Sequence, residues 1–160
     1  ALEASADIKR YSVTSSDEMY TLTMEHFSSV DIAIAAAAVA DFKPRLVGKQ
    51  KIKKESGIQS IELDNTQDIL AQMGKLKQKQ FLLGFALETE DEKNNAIKKI
   101  KSKNLDAIVL NSLNDSGAGF SSDSNKVTYI QKNETIIPFE LKSKSLVAKD
   151  IFSQILIQNA

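Results

Sequence analysis

The sequence predicts an α/β domain built on a mostly parallel sheet. Strand-like and helix-like patterns alternate from the start of the chain to Leu110. Several of the strand-like segments are short, continuous apolar runs, as strands covered on both faces require. Two adjacent strand patterns and a last helix then close the chain. With 160 residues there is enough chain for one domain with a real core and too little for two comfortable ones.

Ile8 to Val13 reads as a short strand. Ser15, Ser16, Asp17 and Glu18 form a capping-box pattern, a serine N-cap with a glutamate three residues on. The helix it opens turns Met19, Leu22 and Phe27 inward. Asp31 to Ala38 reads as a strand buried on both faces. Ile58, Ile61 and Leu63 mark another strand, and Thr66 caps a helix with Ile69, Met73 and Leu76 on one face. Phe81 to Leu87 is a second buried strand. Thr89 and Glu92 suggest a further capping box, opening a helix to about Lys103, with Asn104 and Asp106 shaping the turn into a strand from Leu105 to Leu110. Val127 to Ile130 and Thr135 to Leu141 have hairpin spacing. Leu146, Val147, Ile151, Ile155 and Leu156 then predict an amphipathic C-terminal helix. The order implies a Rossmann-like fold with helices on both faces of the sheet and a C-terminal β-hairpin at one edge. Asp41 to Gly57 stands apart: it has Pro44, two glycines and no apolar period, and reads as a long loop or flap.

The composition, 42% hydrophobic and 26% charged, is ordinary for a soluble globular protein, and the formal net charge of zero gives no overall field toward nucleic acid or an anionic membrane. The absence of cysteine excludes disulfides and thiolate metal sites and sits with a reducing compartment. The single histidine, His26, cannot build a multi-histidine centre and is expected at the surface. The longest apolar run, Ile32 to Ala40, is too short to span a bilayer, and the chain opens without a signal-peptide pattern, so a cytoplasmic protein is expected.

Ligands of open α/β sheets bind at the carboxyl ends of the parallel strands. Three such ends are expected: Ala36 to Asp41, Phe85 to Thr89 and Leu110 to Asn114. In the first, a run of alanines leaves the backbone nearly bare, which suits either a flat ring or sugar lying against it or a strand packed tightly under a helix. Asp41 is the best carboxylate candidate there, or else a cap or turn residue. Six basic residues and no acid lie between Phe42 and Lys54, and four more lysines between Lys98 and Lys103. A single basic run is usually a solvated face. Two runs, each after a strand end, point to a polyanion such as a nucleoside triphosphate or a phosphorylated metabolite. The chain has no GxxxxGK[ST] and no GxGxxG, and Gly117-Ala118-Gly119 serves at most a turn.

Ala36-Ala37-Ala38-Val39-Ala40-Asp41-Phe42, followed by Lys51-Ile52-Lys53-Lys54, resembles the AAVAD…KIKK signature of the bacterial phosphopantothenate–cysteine ligases, in many bacteria the C-terminal half of a bifunctional flavoprotein. The likeness continues in order. Asn65-Thr66-Gln67-Asp68-Ile69-Leu70 resembles NPDIL, with Gln67 in place of proline. Gly84-Phe85-Ala86-Leu87-Glu88-Thr89 resembles GFAAET. Lys99 with Lys103-Asn104-Leu105-Asp106 resembles KxxxKNLD, and Asn111 to Asp115 with Gly119 to Asn125 resembles an ND…GF.SD.N loop. The family pattern also carries an upstream glycine-rich stretch, SGGT…ID.VR.ITN.SSG, whose asparagine is thought to hold the acyl intermediate. Nothing similar precedes Ala1, so residues 1–160 are expected to form a single nucleotide-binding ligase domain, N-terminally incomplete, with a flap over 41–57.

The resemblance implies a two-step ligation. A nucleotide, CTP in most bacterial members, activates the carboxylate of 4'-phosphopantothenate as an acyl-nucleotidyl anhydride with Mg²⁺, and the amine of cysteine then displaces CMP. It assigns nucleotide contacts to Ala36, Ala37, Ala38, Asp41, Lys51, Thr66, Gln67, Asp68, Ile69, Phe85, Lys99 and Lys103, with Lys51 and Asp41 also in catalytic roles. It makes the flap a dimer element reaching into the partner's site. The competing expectation is a catalytically silent relative that keeps the nucleotide pocket as a binding or regulatory module.

Overall fold

The computed structural model describes residues 5–48, 50, 60–112 and 123–159. Its elements in chain order are α1 (Ser16–Phe27), β1 (Ile32–Ala35), β2 (Phe42–Pro44), β3 (Leu63–Asn65), α2 (Ile69–Leu76), β4 (Phe81–Glu88), α3 (Glu92–Ser102), β5 (Ala107–Ser112), β6 (Ser124–Asn125), β7 (Val127–Gln131), β8 (Ile136–Pro138), β9 (Lys142–Ser143) and α4 (Lys144–Gln158). They divide into a larger unit, His26–Ala37 with Ile69–Ala160, and a smaller one, Ala1–Glu25 with Ala38–Asp68.

The larger unit holds a five-stranded sheet in the order β1-β4-β5-β7-β8. β1, β4 and β5 run parallel, β7 is antiparallel to β5, and the β7–β8 hairpin forms one edge. The Rossmann-like arrangement and the edge hairpin are as the sequence predicts. Phe81 to Gly84 of β4 and Ala107 to Leu110 of β5 are buried without a break, because alternate side chains enter two different layers. Phe81, Leu83, Ala107 and Val109 join Val127, Tyr129 and Phe139 beneath Val147, Ile151 and Ile155 of α4. On the opposite face, the position of a Cβ at Gly84 would lie 2.8 Å from Leu70 of α2 and 3.1 Å from Leu105, so the missing side chain lets that layer close on the strand. Leu82, Ile108 and Ile130 are fully buried, and each contributes roughly 1.5–3 kcal/mol by leaving water.

Asp106 ties the amino ends of the parallel strands together. Its carboxylate accepts both a bidentate contact from Lys77 at 2.8–2.9 Å and the Leu82 amide at 2.8 Å. Asn104, with φ 52°, donates to the Gly74 carbonyl at 3.0 Å. Both residues shape the helix-to-strand turn as expected.

Several expectations fail. Ile8 to Val13 is not a strand, since no described strand hydrogen-bonds to it. β1 is shorter than the predicted strand and lies at a sheet edge with Ile34 half exposed, so it is not covered on both faces. Asp91, with φ 44°, is the N-cap of α3 and makes no side-chain cap of its own. His26 is half-buried rather than at the surface. Leu76 projects outward from α2, while Ile69 and Met73 are buried. The first capping box forms in altered shape. Ser15 Oγ accepts the Glu18 amide, but Glu18 reaches past the Ser15 backbone to the amide and hydroxyl of Thr14. These hydrogen bonds to the ionised form hold the Glu18 carboxyl below its ordinary pKa.

Candidate nucleotide site

In the smaller unit, β2 and β3 pair antiparallel, with Phe42 opposite Asn65 and Lys43 opposite Asp64. β2 lies inside the segment expected to be an irregular flap. One step beyond the ribbon, the Thr66 amide donates to the Asp41 carbonyl at 2.9 Å and the Thr66 hydroxyl donates to the Ala40 carbonyl at 2.5 Å. Thr66 therefore fastens the alanine-rich segment to the segment entering α2; it does not cap the helix, which begins three residues later. This clamp fixes the backbone around Asp41 and leaves the Asp41, Gln67 and Asp68 side chains exposed. Ala38 is exposed as well.

The described part of the first basic run is locally neutralised. Lys43 pairs with Asp17 at 2.5 Å, and Arg45 pairs with Glu62 at 3.0 Å and Asp64 at 2.9 Å. The run itself contains no acid, but the chain brings acids to it from α1, from β3 and from Glu62 just before β3. Lys49, Lys51, Lys53 and Lys54 lie outside the described residues, as does the Gly117–Gly119 stretch.

In the larger unit, Ala36 and Ala37 follow the carboxyl end of β1 and are exposed. Ile69, at the first position of α2, is buried, so it presents backbone and not side chain. Phe85, on β4, packs against the core layer beneath α4 and is only partly exposed.

The four lysines of the second basic run, three at the end of α3 and Lys103 at its C-cap, divide between two faces. Lys99 and Lys103 lie one turn apart and are half-buried, whereas Lys98 and Lys101 are exposed. The Lys103 amide closes on the Lys99 carbonyl at 3.0 Å. Lys101 turns to Glu134 on the hairpin loop at 2.6 Å. Lys99 reaches the carboxyl end of β4, where its ammonium lies 2.7 Å from Glu88 Oε1. That contact is an ion pair off the hydrogen-bonding direction, and Oε1 is sealed from solvent with no aligned donor. Opposite Glu88 in the β4–β5 register stands Ser112, which donates to Glu92 at 2.5 Å. Sequence reasoning named Lys99 and passed over Glu88. The signal available was Glu88's place at the end of an apolar strand, where a charge needs a partner.

Residues 1–158 match the DNA/pantothenate metabolism flavoprotein C-terminal domain family. The chain belongs to this family. Among curated relatives it is 53% identical over 154 residues to a cysteine/cysteine sulfinic acid decarboxylase from an unknown prokaryotic organism, covering 96% of this chain and 43% of that protein. It is 41% identical over 143 residues to the coenzyme A biosynthesis bifunctional protein CoaBC of Bacillus subtilis (strain 168), covering 89% of this chain and 35% of that one. The chain thus spans less than half the length of these relatives. Its fold superposes on the crystal structure of the C-terminal domain of CoaBC with a TM-score of 0.79 and 35% identity, over 99% of this chain and 71% of that one. One of these relatives is named for coenzyme A biosynthesis, and the family's description names pantothenate metabolism.

Proposed function

We propose that the chain is the nucleotide-binding part of a phosphopantothenate–cysteine ligase that uses CTP. The observation that carries this reading is the clamp between Thr66 and the Ala40–Asp41 backbone. It joins two separate segments that resemble the ligase signature, and the C-terminal domain of CoaBC shares the fold over nearly the whole chain. The decarboxylase named among the relatives is a protein of which this chain spans 43%, so that name leaves the role of the shared part open.

In the proposed reaction a carboxylate oxygen of 4'-phosphopantothenate attacks the α-phosphorus of CTP. The bond to the β-phosphate oxygen breaks, and pyrophosphate leaves with the electron pair. The cysteine amine then attacks the acyl carbon, the amide C–N bond forms, CMP departs with the carboxylate-derived oxygen, and the amine loses a proton. Exposed backbone at Ala36 to Ala38 would receive the base and sugar. By the resemblance, Lys51, Lys99 and Lys103 would follow charge as it develops on the leaving pyrophosphate, with Asp41, Thr66, Gln67, Asp68, Ile69 and Phe85 as further nucleotide contacts. Among the described residues no three acidic or histidine side chains form a metal cage. Mg²⁺, which keeps its waters and is commonly held through phosphates, fits this site as a companion of the nucleotide. The segment 41–57 would complete the site of a second copy in a homodimer.

The full-length protein, incubated with CTP, Mg²⁺, 4'-phosphopantothenate and cysteine, should release pyrophosphate and CMP in step with amide formation, with ATP a poorer replacement. Nucleotide binding without any turnover would support the silent binding module instead. Sedimentation of the protein as a monomer at micromolar concentration would remove the dimer from the proposal.

A further inference from the structure

Glu88 is a charged residue at the end of an otherwise apolar strand, with its side chain only 15% exposed. Burial of a carboxylate is costly without a counter-charge. The counter-charge comes from Lys99, whose side chain remains 43% exposed above it. The order is carboxylate beneath, ammonium on top, at the carboxyl end of a central parallel strand, where ligands of such sheets bind. A lysine on a helix surface ordinarily samples many positions of its four-carbon stem. Here the ammonium is paired with a carboxylate beneath it, while the lysine side chain stays partly exposed.

We infer that Glu88 is a positioning residue: it holds the Lys99 ammonium at the strand ends in the place where it meets a nucleotide phosphate. This inference rests on the nucleotide-site reading above. An ammonium carries three donors, so it can keep Glu88 and still give donors to phosphate. The alternative sign is equally concrete. If Glu88 merely competed with phosphate for Lys99, or repelled the phosphates, removing its charge would strengthen nucleotide binding.

The test is a double-mutant cycle on CTP–Mg²⁺ affinity in the full-length protein, by calorimetry, with Glu88→Gln, Lys99→Met and the pair combined. Glu88→Gln preserves size and an acceptor, so it keeps the fold test separate; Glu88→Ala is the more severe companion, read only if its circular dichroism matches the wild type. Glu88→Gln is expected to weaken CTP binding about threefold to tenfold, and to have no further effect once Lys99 is Met, as residues acting through one another are non-additive. CMP, with fewer phosphates to meet Lys99, should lose less affinity than CTP. Tighter CTP binding by Glu88→Gln, or additive losses in the double variant, would overturn the positioning role alone. If the wild-type protein binds no CTP, both the inference and the nucleotide-site reading fall together.

Discussion

Charge placement on α3 separates two kinds of lysine. Lys99 and Lys103 share a half-buried face, and Lys98 and Lys101 do not. A charge-assisted contact to phosphate contributes roughly 1.5–3 kcal/mol, so Lys99→Ala and Lys103→Ala should each weaken CTP binding by about tenfold to a hundredfold. Lys51→Ala is expected to do the same from the segment outside the described residues. Lys98→Ala should change little, and Lys101→Ala should cost only an exposed pair with Glu134, about 0–1 kcal/mol of stability. Equal losses of affinity in all five variants would mean a diffuse basic surface in place of a shaped site. Lys77 offers a contrast at the other end of the strands. Its side chain is 8% exposed and bonded through both oxygens to Asp106, so Lys77→Ala strands a largely buried carboxylate and should destabilise the fold by about 3 kcal/mol, the lower end for broken buried pairs. Lys79→Ala, which loses a 3.6 Å pair between two exposed groups, should be near neutral in urea unfolding.

Between elements, α2 comes very close to the C-cap of α3 at Gly74. A Cβ on Gly74 would fall 1.8 Å from the Lys103 carbonyl oxygen, a backbone atom that cannot swing aside. Gly74→Ala should therefore cost about 1–3 kcal/mol in stability through forced backbone shifts, and it should also disturb CTP affinity through Lys103. Gly84→Ala meets only the tips of Leu70 and Leu105, which can rotate, and a smaller loss in melting temperature is expected. If Gly74→Ala unfolds at the wild-type temperature, the close packing of α2 on Lys103 is wrong. These contacts mark the limit of what sequence could tell. Apolar runs were enough to place β4, β5, the β7–β8 hairpin and α4, because burial there follows local periodicity. The ends of elements depended on partners far along the chain. Thr66 has the residue type of a cap but spends its hydroxyl on Ala40, and the N-cap of α3 falls on the left-handed Asp91. Ile8 to Val13 has strand-like residues and, among the described residues, no strand beside it, and β2 hides in a segment with no apolar period because its order comes from β3. Of the site, the clustered lysines and the bare alanines were legible. Glu88, an acid in an apolar strand, became meaningful only once Lys99 was seen above it.

At the scale of the whole molecule, the larger unit is sealed by the layer between the sheet and α4, and its most informative group is Tyr129. The residue is fully buried on β7, its ring stacks on Phe139 with centroids 6.4 Å apart, and its hydroxyl donates to Gln158 Oε1 at the end of α4 at 2.5 Å. Burial, with the Asp106 charge nearby as a lesser cause, pushes the phenol up to about 12 from an ordinary value near 10. The folded state therefore holds this proton more tightly than the unfolded state does. Stability from the neutral phenol is fully present below pH 10 and is lost as pH rises toward 12, since unfolding then releases a proton that folding must recover. Other groups, lysines above all, titrate in the same range, so the difference from Tyr129→Phe isolates the phenol. That variant keeps the ring and gives up the bond to Gln158, so it should be less stable than wild type at pH 8 by about 1 kcal/mol. Between pH 10 and 12 the gap should narrow, because the wild type alone has a buried phenol to ionise. Urea unfolding of both proteins across that range measures the gap directly, and two stability curves that stay parallel from pH 8 to 12 would show that Tyr129 ionises as readily in the fold as in the open chain.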